Sequence, residues 1–411
     1  MKSKACEKMW SMINVQVMQN AVTTCCQRSM DTLTVQGIKE LGPRLFLDQL
    51  TSVRNDRDQF IQHDQLPDAC AVCQETWPNS LWHTWNSWKD RDWTTQQLAD
   101  LRHTDCVNLI EISLSNICNQ TCMYCGPNNS SDWAKLTGTT ISDQSQWRDQ
   151  FILALYAYIE QHLNHRQGDI TYNFLGGEPL LNTNIYDIMQ GLISAHLTDQ
   201  HPYRSKQMMI TTNLNVKPAL IHNLLAVIDS TDGWTWQIKC SIDARGSRGE
   251  IIRDGLDVAL FQQNLELLLS HPRVSVEILP SISVLNVPEL ADLIAWILSI
   301  MLRLGLVEQY GTRWQFGTNI IHNPTAMHPG NLSVDYAACI DQCLAELSVL
   351  DGNGQLSAFV THLENIRAML GSKRSDTDRA EMRKWFTWQA QLRQLDYWQL
   401  FPVLADLCGP R

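Results

Sequence analysis

The sequence has no run of about 18 apolar residues, the length that a membrane-spanning helix needs, so no membrane span is expected. Its longest apolar stretch, around Leu290 to Leu306, is interrupted by Asp292 and Arg303 and reads as a core helix. The first residues carry Lys2, Lys4 and Lys8 but lead into no apolar segment, so no signal peptide is expected and the protein is placed in the cytoplasm. Basic charge is also short. Lys and Arg number 32 against 43 Asp and Glu, giving a net charge of -11. Phosphate binding needs clustered Lys and Arg, and no basic stripe is present, so a nucleic-acid partner is not expected. The histidines lack metal-ligand spacing; His162 and His165 read as a helix end. Internal repeats and low-complexity tracts are missing too. With 44% apolar and 18% charged residues the chain is a folded globular one. Its 411 residues suffice for one large catalytic domain plus one or two appendages.

Cysteine, by contrast, is plentiful, with 13 in the chain. Disulfides are disfavoured in the cytoplasm, so metal or cluster ligation becomes the reading to test. Tryptophan is also frequent. Trp77, Trp82, Trp85 and Trp88 could present an aromatic surface to a peptide or simply pack in a core. Cys339 and Cys343 share a helix face and could ligate a metal or approach the substrate, though such a pair more often forms simply an apolar helix face.

Three regions separate along the chain. Residues 1–105 are rich in Cys and Trp. Asn14–Met18 alternates like a strand, Gln19-Asn20-Ala21 can turn it, and Val22–Cys25 can return as a hairpin partner. Residues 106–324 alternate strand and helix. Strands are expected at Asn108–Leu114, Asp169–Phe174, Gln207–Thr212, Trp234–Ile242, Val274–Val284 and Arg313–Ile321, with helices between them. That alternation predicts an α/β fold with a parallel sheet and right-handed crossovers. A partial or full α/β barrel and an open doubly wound sheet both satisfy the pattern. Residues 325–411 read as mainly helical.

The strongest local signal is Cys118-Asn-Gln-Thr-Cys122-Met-Tyr-Cys125, directly after the first strand of the alternating region. Three thiolates on one loop can wrap a metal centre. Tetrahedral zinc wants a fourth protein ligand, which would have to be remote. An iron–sulfur cluster held by three cysteines keeps one iron open to a substrate or cosubstrate. At the end of the second strand stands Phe174-Leu-Gly176-Gly177-Glu178-Pro-Leu180. Taken alone it reads as a strand-to-helix turn, but two glycines allow close backbone approach and Glu178 can offset an ammonium.

Together these motifs resemble the radical S-adenosylmethionine (SAM) superfamily, whose hallmark is CxxxCxxC after the first barrel strand, often with an aromatic residue before the last Cys, here Tyr124. The resemblance covers residues 106–324. It implies a partial (β/α)6 TIM-like barrel and a catalytic [4Fe-4S] cluster on Cys118, Cys122 and Cys125. Gly176, Gly177 and Glu178 would then meet the SAM amino group. Asn213 ends the third strand, as in many members. Ser241 would lie near the ribose and Arg253 near the carboxylate, with Asp243 as a further contact. The alternative for the last two is a helix cap and a surface arginine.

The N-terminal region is similar to the auxiliary-cluster module called SPASM or, in shorter form, twitch. One Cys precedes a hairpin, another ends it, and a CxxC follows. This resemblance implies a second, auxiliary [4Fe-4S] cluster on Cys6, Cys25, Cys70 and Cys73. The module usually follows the barrel, so its position in front is a departure. Cys25 and Cys26 cannot both face one site from a strand, and the module's pattern selects Cys25. A zinc knuckle and a redox dithiol are the other readings of Cys70 and Cys73.

The resemblance implies reductive cleavage of SAM to a 5′-deoxyadenosyl radical that removes hydrogen from a substrate. That substrate would be a peptide, a protein side chain or a small molecule, with flavodoxin or ferredoxin as electron donor. Two other classes remain as alternatives: a Cys-rich zinc-binding scaffold, and an iron–sulfur electron carrier without SAM chemistry.

Overall fold

The computed structural model describes residues 6, 8–24, 31–46, 50–63, 94–101, 107–165, 168–197, 205–350, 356–373 and 375–408. Cys25, Cys26, Cys70, Cys73 and Cys106 lie outside the described residues, as do Trp77, Trp82, Trp85 and Trp88. The chain forms two compact units. Met1–Cys118, Pro127–Thr212 and Pro218–Gln237 make the first; Asn119–Gly126, Asn213–Lys217 and Ile238–Arg411 make the second. The architecture is α/β with mostly parallel strands. Among the described residues no helix is long and apolar enough to cross a membrane.

In the first unit, strands β1 (Met12–Gln16), β2 (Ala21–Thr23), β3 (Asp31–Thr32), β4 (Leu109–Ser113), β5 (Ile170–Leu175) and β6 (Lys206–Thr212) form a sheet in the order β6-β5-β4-β1-β2-β3. The expected hairpin is present: β1 pairs antiparallel with β2, and Asn20 takes the left-handed conformation that closes the turn. The other edge of β1 pairs in parallel with β4, Asn14 opposite Glu111 and Val15 opposite Ile112. β4, β5 and β6 continue in parallel.

Each strand alternates. Ile110, Ile112, Tyr172, Phe174, Met208 and Ile210 occupy one face and are fully buried. Tyr172 Oη meets His196 Nε2 at 2.8 Å, just past helix Ile185–Ala195. The intervening residues are polar or half-buried, among them Glu111, Ser113, Thr171 and Asn173. A parallel sheet covered by helices on both faces would instead read as continuous apolar runs. Elsewhere in this unit, Phe46 stacks on Tyr158 with centroids 4.7 Å apart, against helix Ser145–Gln161. Trp10, Met9, Phe60 and Leu98 form a second apolar cluster, with Cys6 packed on it.

The chain passes into the second unit within β7 (Trp234–Cys240). There β8 (Val274–Ile278) pairs in parallel with β10 (Trp314–Phe316), and β9 (Ser281–Ile282) with β11 (Asn319–Ile320). The two long strands expected at Val274–Val284 and Arg313–Ile321 are thus each split. Pro280 brings no N–H to a ladder, which ends β8. Helices Ala337–Leu347, Ser357–Met369 and Asp376–Arg393 build the C-terminal part. The last begins with a capping box between Ser375 and Asp378.

One segment of this unit is strained. Leu214 is buried at φ 52°, a conformation that a bulky side chain resists. Asn264 holds it, its Nδ2 donating to the carbonyls of both Leu214 and Val216 at 2.8 Å. Asn264→Leu orphans two buried carbonyls, at about 1–3 kcal/mol each. The first thermal unfolding transition is expected to fall on the order of 5 °C, measured by calorimetry; an unchanged transition would refute this account.

Candidate functional site

In the first unit, both predicted glycines are required by packing. A Cβ on Gly176 would stand 2.6 Å from Ser113 Cβ, and one on Gly177 only 2.4 Å from the Ile117 carbonyl oxygen. Both residues have positive φ, 82° and 57°. The next residue closes the same contact: Glu178 N–H donates to Ile117 O at 2.7 Å. The strand end after β5 is therefore fitted onto the residue just before Cys118. The Glu178 carboxylate is fully buried. Its Oε1 accepts from Leu180 N at 3.1 Å and from Thr212 Oγ1 at 2.7 Å, so it caps the turn at Pro179–Leu181. Cys118 is pinned from its other side: its N–H donates to Ser131 Oγ at 3.1 Å, and that hydroxyl donates to its carbonyl at 3.0 Å.

The second unit contains Cys122, Tyr124 and Cys125 together with Asp243 and Arg253. Asp243 has no exposed surface, and Arg253 is 5% exposed. The guanidinium meets both carboxylate oxygens, Nε at 2.9 Å from Oδ2 and Nη2 donating to Oδ1 at 3.1 Å. Tyr124 Oη donates to Oδ2 at 2.6 Å, and Ser281 N–H to Oδ1 at 2.8 Å. Arg253 also lies 5.6 Å from the Tyr124 ring centre, and its Nη1 stands 4.0 Å from Cys122 Sγ. Burial opposes the Arg253 charge, but Asp243, Tyr124 and Cys122 together outweigh it and push the guanidinium up, so it stays a cation. Burial also drives the Tyr124 hydroxyl well above its usual range, which keeps it a donor, and raises the Cys125 thiol.

The same loop is held from the far end of the sequence. Thr121 and Met123 N–H donate to the carbonyls of Asp254 and Ile252, at 2.7 and 2.9 Å. Arg393, on helix Asp376–Arg393, donates to Thr121 Oγ1 at 2.9 Å, to Asp254 Oδ2 at 2.6 Å and to the Thr121 carbonyl. Gln389 in turn accepts from Arg393 Nε at 2.9 Å. Asn213, which the resemblance placed at the end of the third strand, donates to Asn119 Oδ1 at 3.0 Å, and Asn119 donates to the Asn215 carbonyl at 2.6 Å. Sequence reasoning missed Thr121, Asp254, Gln389 and Arg393. Nothing local marks an arginine on a polar helix as the clamp of a loop so distant in sequence.

Of the other predicted residues, Ser241 is half-buried just after β7. Cys343 is buried, its thiol pushed up to about 12 by burial and by Cys339, as suits an apolar helix face. Among the described residues no group of three or more His, Cys, Asp or Glu could hold a single metal ion. A cubane cluster is a different demand, since each thiolate binds its own iron. Its donor chemistry suits this loop: sulfur ligands with no carboxylate or imidazole among them, and a cation beside Cys122 to offset thiolate charge.

Two substitutions probe this geometry. Gly177→Ala forces a strained φ and a clash with Ile117 O, and is expected to cost about 2–3 kcal/mol in chemical denaturation. Wild-type stability in that variant would mean that the strand end is not fitted to the loop. Arg393→Met is expected to speed hydrogen exchange at the Thr121 and Met123 amides on the order of tenfold. Arg393→Lys should restore part of that protection, and equal exchange in all three proteins would remove the clamp.

No family model matches the chain, and no curated protein matches it. Solved structures do match. One described as native anSMEcpe with bound AdoMet aligns at a TM-score of 0.40 and 14% identity, over 58% of this chain and 59% of that one. A second, native anSMEcpe with bound AdoMet and Cp18Cys peptide, aligns at 0.40 and 14% over 58% of each chain. The chain therefore covers less than two thirds of the length of either.

Proposed function

We propose that this chain is a radical SAM enzyme. The observation that carries the reading is the fit of Gly177 and Glu178 onto the Ile117 carbonyl, because it joins the two sequence motifs in one structural element. An ordinary strand-to-helix turn needs no such match to a cysteine loop. Cys118, Cys122 and Cys125 would hold a [4Fe-4S] cluster, which when bound supplies the electron that cleaves the carbon–sulfur bond of SAM. The strand end Gly176–Glu178 would receive the SAM amino group through backbone carbonyls, with the buried Glu178 charge behind them. Asn213 and Ser241 would contact the rest of the cosubstrate. Asp243 and Arg253 are engaged with one another and with Tyr124, which supports a positioning role: they fix the loop and set a positive charge at Cys122.

The finer reading follows the sequence. Residues 106–324 would form a partial (β/α)6 barrel, preceded by a twitch-like module at 1–105 and followed by a helical extension at 325–411. Cys6, Cys25, Cys70 and Cys73 would hold an auxiliary [4Fe-4S] cluster that exchanges electrons with the substrate. The substrate would be a peptide or protein side chain, and a flavodoxin or ferredoxin in the cytoplasm would supply electrons.

Anaerobic reconstitution followed by dithionite and SAM tests this. Two clusters would bring about eight irons per chain. Cys118→Ala is expected to lose about half of them and all 5′-deoxyadenosine formation. Cys70→Ala should lose a similar share of iron from the auxiliary site. If the wild-type protein forms no more 5′-deoxyadenosine than Cys118→Ala, the reading is wrong.

A further inference from the structure

The polar row across β1, β4 and β5 has no part in the cofactor reading. Asn14, Glu111 and Asn173 are register partners on adjacent parallel strands, so their side chains stand side by side on one face. Asn14 Nδ2 donates to Glu111 Oε2 at 2.9 Å and Asn173 Nδ2 to Oε1 at 3.0 Å. Behind them, Gln16 Nε2 donates to Asn14 Oδ1 at 2.8 Å. Each of these bonds points a carboxamide donor along the row, the first two directly at the carboxylate. What remains is acceptor capacity. An ionised carboxylate offers roughly four lone-pair positions, and two of these bonds fill only part of it. Among the described residues Asn173 Oδ1 has no hydrogen-bond partner, although the residue is only 4% exposed. A buried acceptor without a donor costs about 1–3 kcal/mol. The register neighbours Leu109, Ser113, Thr171, Leu175 and Met209 carry no positive charge.

A carboxylate gripped by two carboxamides, with an orphaned carbonyl oxygen beside it, asks for a cationic donor with several N–H bonds. Glu111 itself is half-buried rather than enclosed. It lies two residues before Ser113, against which Gly176 packs. That is about 7 Å along the strand from the end that leads to Cys118. We propose that Glu111 and Asn173 form a subsite for a primary ammonium group of the substrate, with Asn14 and Gln16 positioning the carboxylate. The ammonium would donate to Glu111 and to Asn173 Oδ1. A substrate anchored there would direct the rest of its length towards the strand end. This deepens the radical SAM reading by naming a group on the substrate, but it concerns binding alone.

Ligand-observed NMR titration of the full-length protein tests it, with n-butylammonium as one probe and an acetylated, amidated peptide with a central lysine as the other. Saturable binding of at least one is expected, with butan-1-ol and tetramethylammonium, which lack the N–H cation, not binding at the same site. Glu111→Gln keeps the shape and removes the charge, and should weaken binding by about tenfold or more. Asn173→Leu should weaken it to a smaller extent and serves as the second variant if Glu111→Gln does not fold. Tighter binding of the peptide would identify a lysine side chain as the source of the ammonium; equal affinity would identify a small amine. Absence of binding by both probes, or affinity unchanged in both variants, overturns the subsite. Because the titration needs neither SAM nor cluster turnover, loss of 5′-deoxyadenosine formation with ammonium binding intact would reject the enzyme reading and leave the subsite standing.

Discussion

A carboxylate removed from water cannot stay ionised without compensation, and Asp243 has no exposed surface at all. Its charge is met by a two-point contact with Arg253, by the Tyr124 hydroxyl and by the Ser281 amide. These partners come from the cysteine loop, from the end of helix Gly246–Ile252 and from the start of β9. The electrostatic requirement therefore fixes three segments at once. Tyr124 is bound into the network between Cys122 and Cys125, which anchors the loop on which both cysteines stand. Loss of either member of a buried pair leaves the other as an uncompensated charge, at about 3–5 kcal/mol. The guanidinium that neutralises Asp243 also stands beside Cys122, so one cation serves both the fold and the sulfur.

The C-terminal helices follow from the same constraint. A loop held at one face by a buried ion pair still has free carbonyls at the other. Arg393 meets the Thr121 carbonyl while also neutralising Asp254, and Gln389 steadies Arg393. The helical region is thus part of the loop's support, and the second unit gathers sequence segments as distant as residues 119–126 and 376–393.

Much of this organisation was legible in the residues. The strand and helix alternation from 108 to 304 was readable because apolar positions repeat at the right spacing, and the hairpin because Asn20 tolerates the left-handed turn. Pairing of β1 with β4 was not readable, since Met12–Gln16 has the same alternation whichever neighbour it takes. The glycines were expected to make room for a ligand's approach. In the fold they first make room for Ser113 and Ile117, a requirement set by two loops distant in sequence. Asp243 and Arg253 were picked out by resemblance as ligand contacts, but their mutual pairing depends on burial, which spacing does not encode. The polar row was invisible for the same reason: Asn14, Glu111 and Asn173 become neighbours only through strand register.

That row bears on how the sheet is used. A parallel sheet is most stable with apolar residues on both faces, and Ile110, Ile112, Tyr172 and Phe174 show that these strands can supply them. On the opposite face the same strands carry Glu111, Ser113, Thr171 and Asn173. Satisfying Glu111 there takes two carboxamides and, among the described residues, still leaves the Asn173 carbonyl oxygen without a donor. An apolar triplet at these positions would bury more hydrophobic surface and orphan nothing. Stability alone gives no reason for the polar choice, whereas a face that must accept a polar ligand next to the strand end of Cys118 does.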